Sequence, residues 1–173
     1  MYYYIKKNEG FTLIEMLVVL GIIVVLSILV ISGYQEGRPR LAVERTTEGF
    51  VNDLYRIRQR SLSSMIYEDG ENFIQGGHGV RVSVSNNEYE LYAGDGVEKL
   101  IEEIKVETLV NIESVTPDSG GYLNIFFSDD GKVYFNGAEA TGEASVVFST
   151  TNDEAITRKV NINSSGSTRI IYE

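Results

Sequence analysis

The 173-residue chain contains no cysteine. That excludes a disulfide framework and a thiolate metal site. It leaves the compartment open, because an exported protein can do without disulfides. Histidine is nearly absent too. His78 stands alone in a glycine-rich loop, Glu68 to Gly79, where a side chain is expected to be exposed, and no second ligand sits at metal spacing from it. There is no G-x-S-x-G nucleophile motif and no phosphate loop. The chain is therefore not expected to be an enzyme or to hold a cofactor or metal. Positive charge is scarce: 15 basic residues face 25 acidic ones, for a formal net charge of −10. Such a balance repels phosphate backbones and makes nucleic acid a disfavoured partner. No internal repeat and no interdomain linker is visible.

What is present is a long apolar run. After MYYYIKKNEG, and apart from Thr12, Glu15 and Ser27, every residue from Phe11 to Ile31 is apolar or glycine. As a helix this stretch is about 32 Å long, which matches a hydrocarbon core of roughly 30 Å. Lys6 and Lys7 on its front side predict a cytoplasmic amino terminus, with the rest of the chain outside. Two ordinary readings compete. A secretory signal peptide has a shorter apolar region and a small-x-small cleavage site, whereas here Ser-Gly-Tyr-Gln-Glu follows Ile31. A plain anchor gains nothing from Glu15, because a carboxylate in lipid is costly without a cationic partner.

Gly10-Phe11-Thr12-Leu13-Ile14-Glu15, with the leader before it and the apolar run after it, resembles the processing and methylation motif of type IV prepilins and pseudopilins. The resemblance implies that a membrane peptidase cuts between Gly10 and Phe11 and then N-methylates Phe11. It also implies an assembly role for Glu15, whose carboxylate meets the terminal amine of a neighbouring subunit. Phe11 and Glu15 lie four residues apart and share one helix face. The cut creates an amine that is cationic near neutral pH. Removing the leader takes away two lysines and one glutamate and leaves the remainder at about −11. The partners implied are other pilin or pseudopilin subunits, a prepilin peptidase, an assembly ATPase, a platform protein and the cytoplasmic (inner) membrane.

Gly33, Gly37 and Pro39 then interrupt the helical pattern, and a kink or short break is expected at 37–39. Leu41, Phe50, Leu54, Ile57, Leu62 and Met65 resume it as the apolar face of an amphipathic helix. The arginines at 56, 58 and 60 read as a solvated face or as partners of the chain's many acids, with a phosphate patch as the alternative. Beyond Gly70 the texture turns to strands. They are expected around Val80–Val84, Tyr89–Leu91, Leu100–Val115, Tyr122–Phe127, Lys132–Phe135, Ser145–Ser149, Ile156–Ile162 and Ser167–Tyr172. Turns are expected at Asn86-Asn87 and Ser128–Gly131. Asp129-Asp130 and Asp95-Gly96 lack the D-x-D-x-D-G calcium pattern and read as turns. The expected organisation is a leader at 1–10, a transmembrane and assembly helix at 11–33, an amphipathic stalk helix at 34–67 and a β-rich globular domain at 68–173. The fold class is α+β: a long amino-terminal helix packed on an antiparallel sheet domain, pilin-like.

A looser resemblance narrows the family. The arginine-rich helix end running to Ser61–Ser64, the Phe126-Phe127 strand leading to Asp130-Gly131, and the closing Ser-Ser-Gly at 164–166 before Thr168-Arg169-Ile170 resemble the GspH/FimT branch of pseudopilins and minor pilins. Some FimT-like proteins bind DNA during uptake through arginines just after the terminal glycine. Here Arg169 fills one such position and Ser167 the other, so Arg169 is the candidate DNA contact and the pattern is incomplete.

Overall fold

The structure, a computed structural model, describes residues 11–63, 67–69, 72–74, 76–94, 98–151 and 156–172, without the side chains of 29–36, 67–69 and 72–74. The leader, the Asp95-Gly96 turn and Met65 lie outside the described residues. The chain divides into two compact units between Arg38 and Pro39. Helix α1 (Leu13–Leu62) is followed by β1 (Tyr67–Asp69), β2 (Asn72–Ile74), β3 (His78–Ser83), β4 (Glu88–Ala93), β5 (Lys99–Lys105) and β6 (Val110–Thr116). Then come β7 (Tyr122–Phe127), β8 (Val133–Phe135), β9 (Ala138–Glu139), β10 (Ala144–Thr150), β11 (Thr157–Ile162) and β12 (Thr168–Tyr172). The α+β class expected from the sequence is the one found.

The break expected at 37–39 is absent: helical assignment runs through Gly37 and Pro39. Proline removes one helical hydrogen bond, and Arg38, Arg40, Leu41, Ala42 and Glu44 beside it are good helix formers that hold the turn. The same residues do mark the boundary between the two units. At its other end α1 stops at Leu62, and Tyr67, expected at the tail of the stalk helix, begins a strand.

The second unit is held by alternation. All strand pairings are antiparallel and form a two-stranded ribbon β1-β2, a four-stranded sheet β12-β11-β10-β6 and a six-stranded sheet β5-β4-β3-β7-β8-β9. In β7 and β8 the odd residues Leu123, Ile125, Phe127, Val133 and Phe135 are buried, while Asn124, Phe126 and Tyr134 stand on the other face. This is the period-2 signature of a strand with one covered face. The helical face that meets this core is Val43, Thr47, Phe50, Leu54, Ile57 and Ser61, all buried and spaced three or four apart. Leu41 and Leu62, expected on that face, are 48% and 51% exposed. At about 100° per residue, Leu41 lies roughly 180° from Phe50 and Leu62 roughly 140° from Ile57, so both point away.

Phe50 is fully buried and makes edge contacts with Tyr89 at 5.0 Å and Phe148 at 5.4 Å, joining helix and both larger sheets. Asn87 ties the sheets a second time. It turns β3 into β4 with φ 54°, a conformation asparagine tolerates. Its Oδ1 accepts the Ile112 N–H at 2.7 Å, and its Nδ2 donates to the Val110 carbonyl at 2.8 Å. Both edges of the six-stranded sheet are guarded. β5, at one edge of the six-stranded sheet, reads Lys-Leu-Ile-Glu-Glu-Ile-Lys and is largely exposed. At the opposite edge β9 is two residues long.

Candidate functional site

The first unit begins with a helix start that satisfies its own polar groups. Thr12 precedes α1, and Glu15 lies three residues on. The Thr12 N–H donates to Glu15 Oε2 at 2.9 Å, the Thr12 hydroxyl donates to the same oxygen at 3.0 Å, and the Glu15 N–H donates to Thr12 Oγ1 at 3.3 Å. This is a capping box, in which two otherwise orphaned helix donors are satisfied reciprocally. The carboxylate also sits at the positive end of the helix dipole. Its Oε1 has no partner among the described residues and is open to an incoming cation. The T-x-x-E pattern was legible in the sequence, and Thr12 is the residue that reading by the acid alone leaves out.

Around this cap every described side chain from Phe11 to Ile28 is exposed, Phe11 at 83%. An apolar surface of that extent on a lone chain calls for lipid or neighbouring helices. Among the described residues no helix is long and apolar enough to cross a membrane. The described side chains of the run end at Ile28, sixteen residues or about 24 Å from Leu13 at the helical rise. Of the expected processing pair, Phe11 is described and Gly10 is not.

Residues 5–31 match the prokaryotic N-terminal methylation motif. The match supports the type IV prepilin and pseudopilin family. The match covers the apolar run, Glu15 and the Gly10–Phe11 junction. No curated protein and no solved structure matches the chain.

In the second unit, the three segments that carried the looser resemblance meet. Arg58 Nη1 donates to the Gly166 carbonyl at 3.3 Å. Gly166 has φ +75°, and a Cβ there would lie 3.0 Å from the Phe127 ring, 3.2 Å from Arg58 Nε and 3.3 Å from Val133. Gly166→Ala therefore combines a left-handed conformation with crowding and is expected to cost about 1–3 kcal/mol. Urea unfolding of the full chain in detergent checks it, with Gly142→Ala, where a Cβ meets nothing within 4 Å, as the mild comparison.

The arginines divide their work. Arg56 pairs with Asp53 and Glu102, each at 2.9 Å. Asp53 also accepts the Tyr89 hydroxyl at 2.8 Å, which together with burial holds that phenol far above its ordinary range. Arg158 is buried, with Glu44 at 3.6 Å, the Thr157 carbonyl at 2.8 Å and the Tyr172 ring at 4.7 Å. Arg169 is exposed on β12 opposite Asn161 and has no ion pair among the described residues. Asp129 and Asp130 are exposed in the turn before β8, and the Lys132 N–H, donating to Asp130 at 3.2 Å, holds that carboxyl below its usual range.

His78 overturns its expectation. It is 2% exposed and opens β3, its N–H donating to Ser61 Oγ at 2.9 Å, while its Nδ1 has no partner among the described residues. The flanking glycines suggest a loop, but Ser61 on the buried face of α1 draws the strand's start inward. Burial, then the nearby Arg60, lowers the His78 pKa below 6.5. Above the unfolded-state value both states are neutral at His78. Below it the unfolded chain takes a proton that the folded chain resists, so stability falls on acidification. We expect urea midpoints to drop between about pH 7 and pH 5 and His78→Leu to flatten that slope.

Proposed function

We propose that the chain is a minor pilin or pseudopilin: a structural subunit cut between Gly10 and Phe11, N-methylated at Phe11, and built into a filament through its amino-terminal helix. The observation that carries this reading is the methylation motif over residues 5–31, continuous with an exposed apolar helix surface. The cut supplies a cationic amine, and Glu15 offers an open carboxylate oxygen to the amine of a neighbour. Before assembly the apolar run through Ile31 anchors the subunit in the inner membrane, amino terminus inward. Other subunits, the prepilin peptidase, an assembly ATPase and a platform protein are the partners of this reading.

Coexpression with an active prepilin peptidase tests it. Intact-mass measurement should show loss of residues 1–10 and gain of one methyl group, and an inactive peptidase should leave the precursor. A precursor mass that persists beside the active enzyme refutes the proposal. The alternative, a DNA-uptake pilin, leans on the exposed Arg169, which has no ion pair among the described residues. A low-salt gel shift decides it, since electrostatic binding is strongest there.

A further inference from the structure

The outer face of the six-stranded sheet carries aromatic rings that the core does not use. Strand register places Tyr92, Gly79, Phe126 and Tyr134 opposite one another in a single row across β4, β3, β7 and β8. Tyr92 and Phe126 stack with planes 14° apart and centroids at 6.3 Å, and Tyr134 follows Phe126 at 6.1 Å. The gap in the row is built in. A Cβ at Gly79 would collide with the Tyr92 ring, and one at Gly77 with the Phe126 ring. The missing side chains let the rings lie down over the sheet. Tyr92 is 4% exposed and closes one end of the row, while Phe126 and Tyr134 are half-buried and keep part of their rings at the surface, where polar residues would serve a purely solvated face.

The row floors an open cleft of about 270 Å³. This is at the small end of ligand pockets, room for one ring of a ligand and not for a helix. Glu98, Asn124 and Ser128 complete its lining, and the Tyr92 hydroxyl donates to Asn124 Oδ1 at 2.5 Å. Among the described lining residues only Glu98 is charged, and Arg81 pairs with it while its guanidinium lies over the Tyr92 ring, 5.6 Å from the centroid. Asn124 Nδ2 reaches the other Glu98 oxygen at 3.5 Å. A charge-balanced cleft gives no purchase to an anion or a cation. Apolar faces below with amide, carboxylate and hydroxyl groups at the rim suit a ligand with flat C–H faces and a hydroxylated edge.

We propose that this cleft binds a neutral oligosaccharide, with one pyranose ring laid on Phe126 and Tyr134 and its hydroxyls bonded to Asn124 and Glu98. The site is independent of the filament reading: it would bind sugar whether or not the subunit assembles.

The test uses the full chain in a detergent without a sugar headgroup. Maltotriose, mannotriose and triacetylchitotriose are titrated and followed by saturation-transfer NMR. Saturable binding of at least one, with a millimolar Kd, is expected. Phe126→Ala should weaken it about tenfold, the loss of one good stacking contact. Ser128→Phe keeps every ring of the row and fills the cleft, and should abolish binding while circular dichroism stays unchanged. Tyr122→Ala, at the far end of β7 and outside the cleft, should bind as wild type. Absence of saturable binding by all three sugars overturns the proposal. So does binding that survives Ser128→Phe, and so does capture of an arginine-rich peptide in place of the sugars.

Discussion

A Glu15→Leu subunit is expected to enter the membrane and lose its leader normally, yet to be missing from sheared filaments. On the proposed pairing, removing the acid takes from each neighbour the partner of its terminal amine. Breaking one member of a desolvated pair costs about 3–5 kcal/mol, a few hundredfold or more in an interface equilibrium. Leucine also improves the apolar run, so anchoring itself should persist or strengthen. The capping box adds a sharper version. Glutamine serves a capping box nearly as well as glutamate, so Glu15→Gln keeps the bond from the Thr12 N–H and discards only the charge. If charge sets the docking, Glu15→Gln fails with Glu15→Leu. Immunoblots of the sheared and membrane fractions separate the cases, and wild-type incorporation of Glu15→Gln would sink the charge-pairing account.

The second large effect lies in the core. Phe50→Ala should destabilise the second unit by about 3–5 kcal/mol, the range for deleting a buried ring whose cavity cannot collapse. Phe50 touches rings on two different sheets, so relaxation of one side cannot fill the void. Leu62→Ala, on the same helix but half exposed, should stay within about 0.5 kcal/mol. Urea melts of the full chain compare the two directly. Equal losses would mean that the buried face of α1 has been misassigned.

Much of this architecture was legible in the residues. Local hairpins announced themselves: the alternation of Val80 and Val82 against Tyr89 and Leu91 gives β3 and β4, and Phe127 to Val133 around Gly131 gives β7 and β8. The division into two larger sheets was not legible. It depends on β6 leaving β5 to pair with β10, some thirty residues away, and no local pattern encodes that partner. His78 was misread for the same reason. Its neighbours in sequence are glycines, while its environment is a serine seventeen residues earlier on α1. The short β1, β2 and β9 escaped because two or three residues hold too little periodicity. At the amino terminus the motif singled out Glu15 and the expected Gly10–Phe11 cut. The reciprocal Thr12 bonds required reading the same four residues as a helix start.

The guarded edge of β5 has a meaning that belongs to crowding. In the proposed filament the subunit is pressed among neighbouring subunits, at a local concentration no solution reaches. Every open strand edge is then offered continually to the same edge next door. A β5 with lysine at both ends and two glutamates within it, and a β9 too short to template anything, deny that pairing. Subunits could then be packed side by side through their helices without pairing along either edge of the six-stranded sheet.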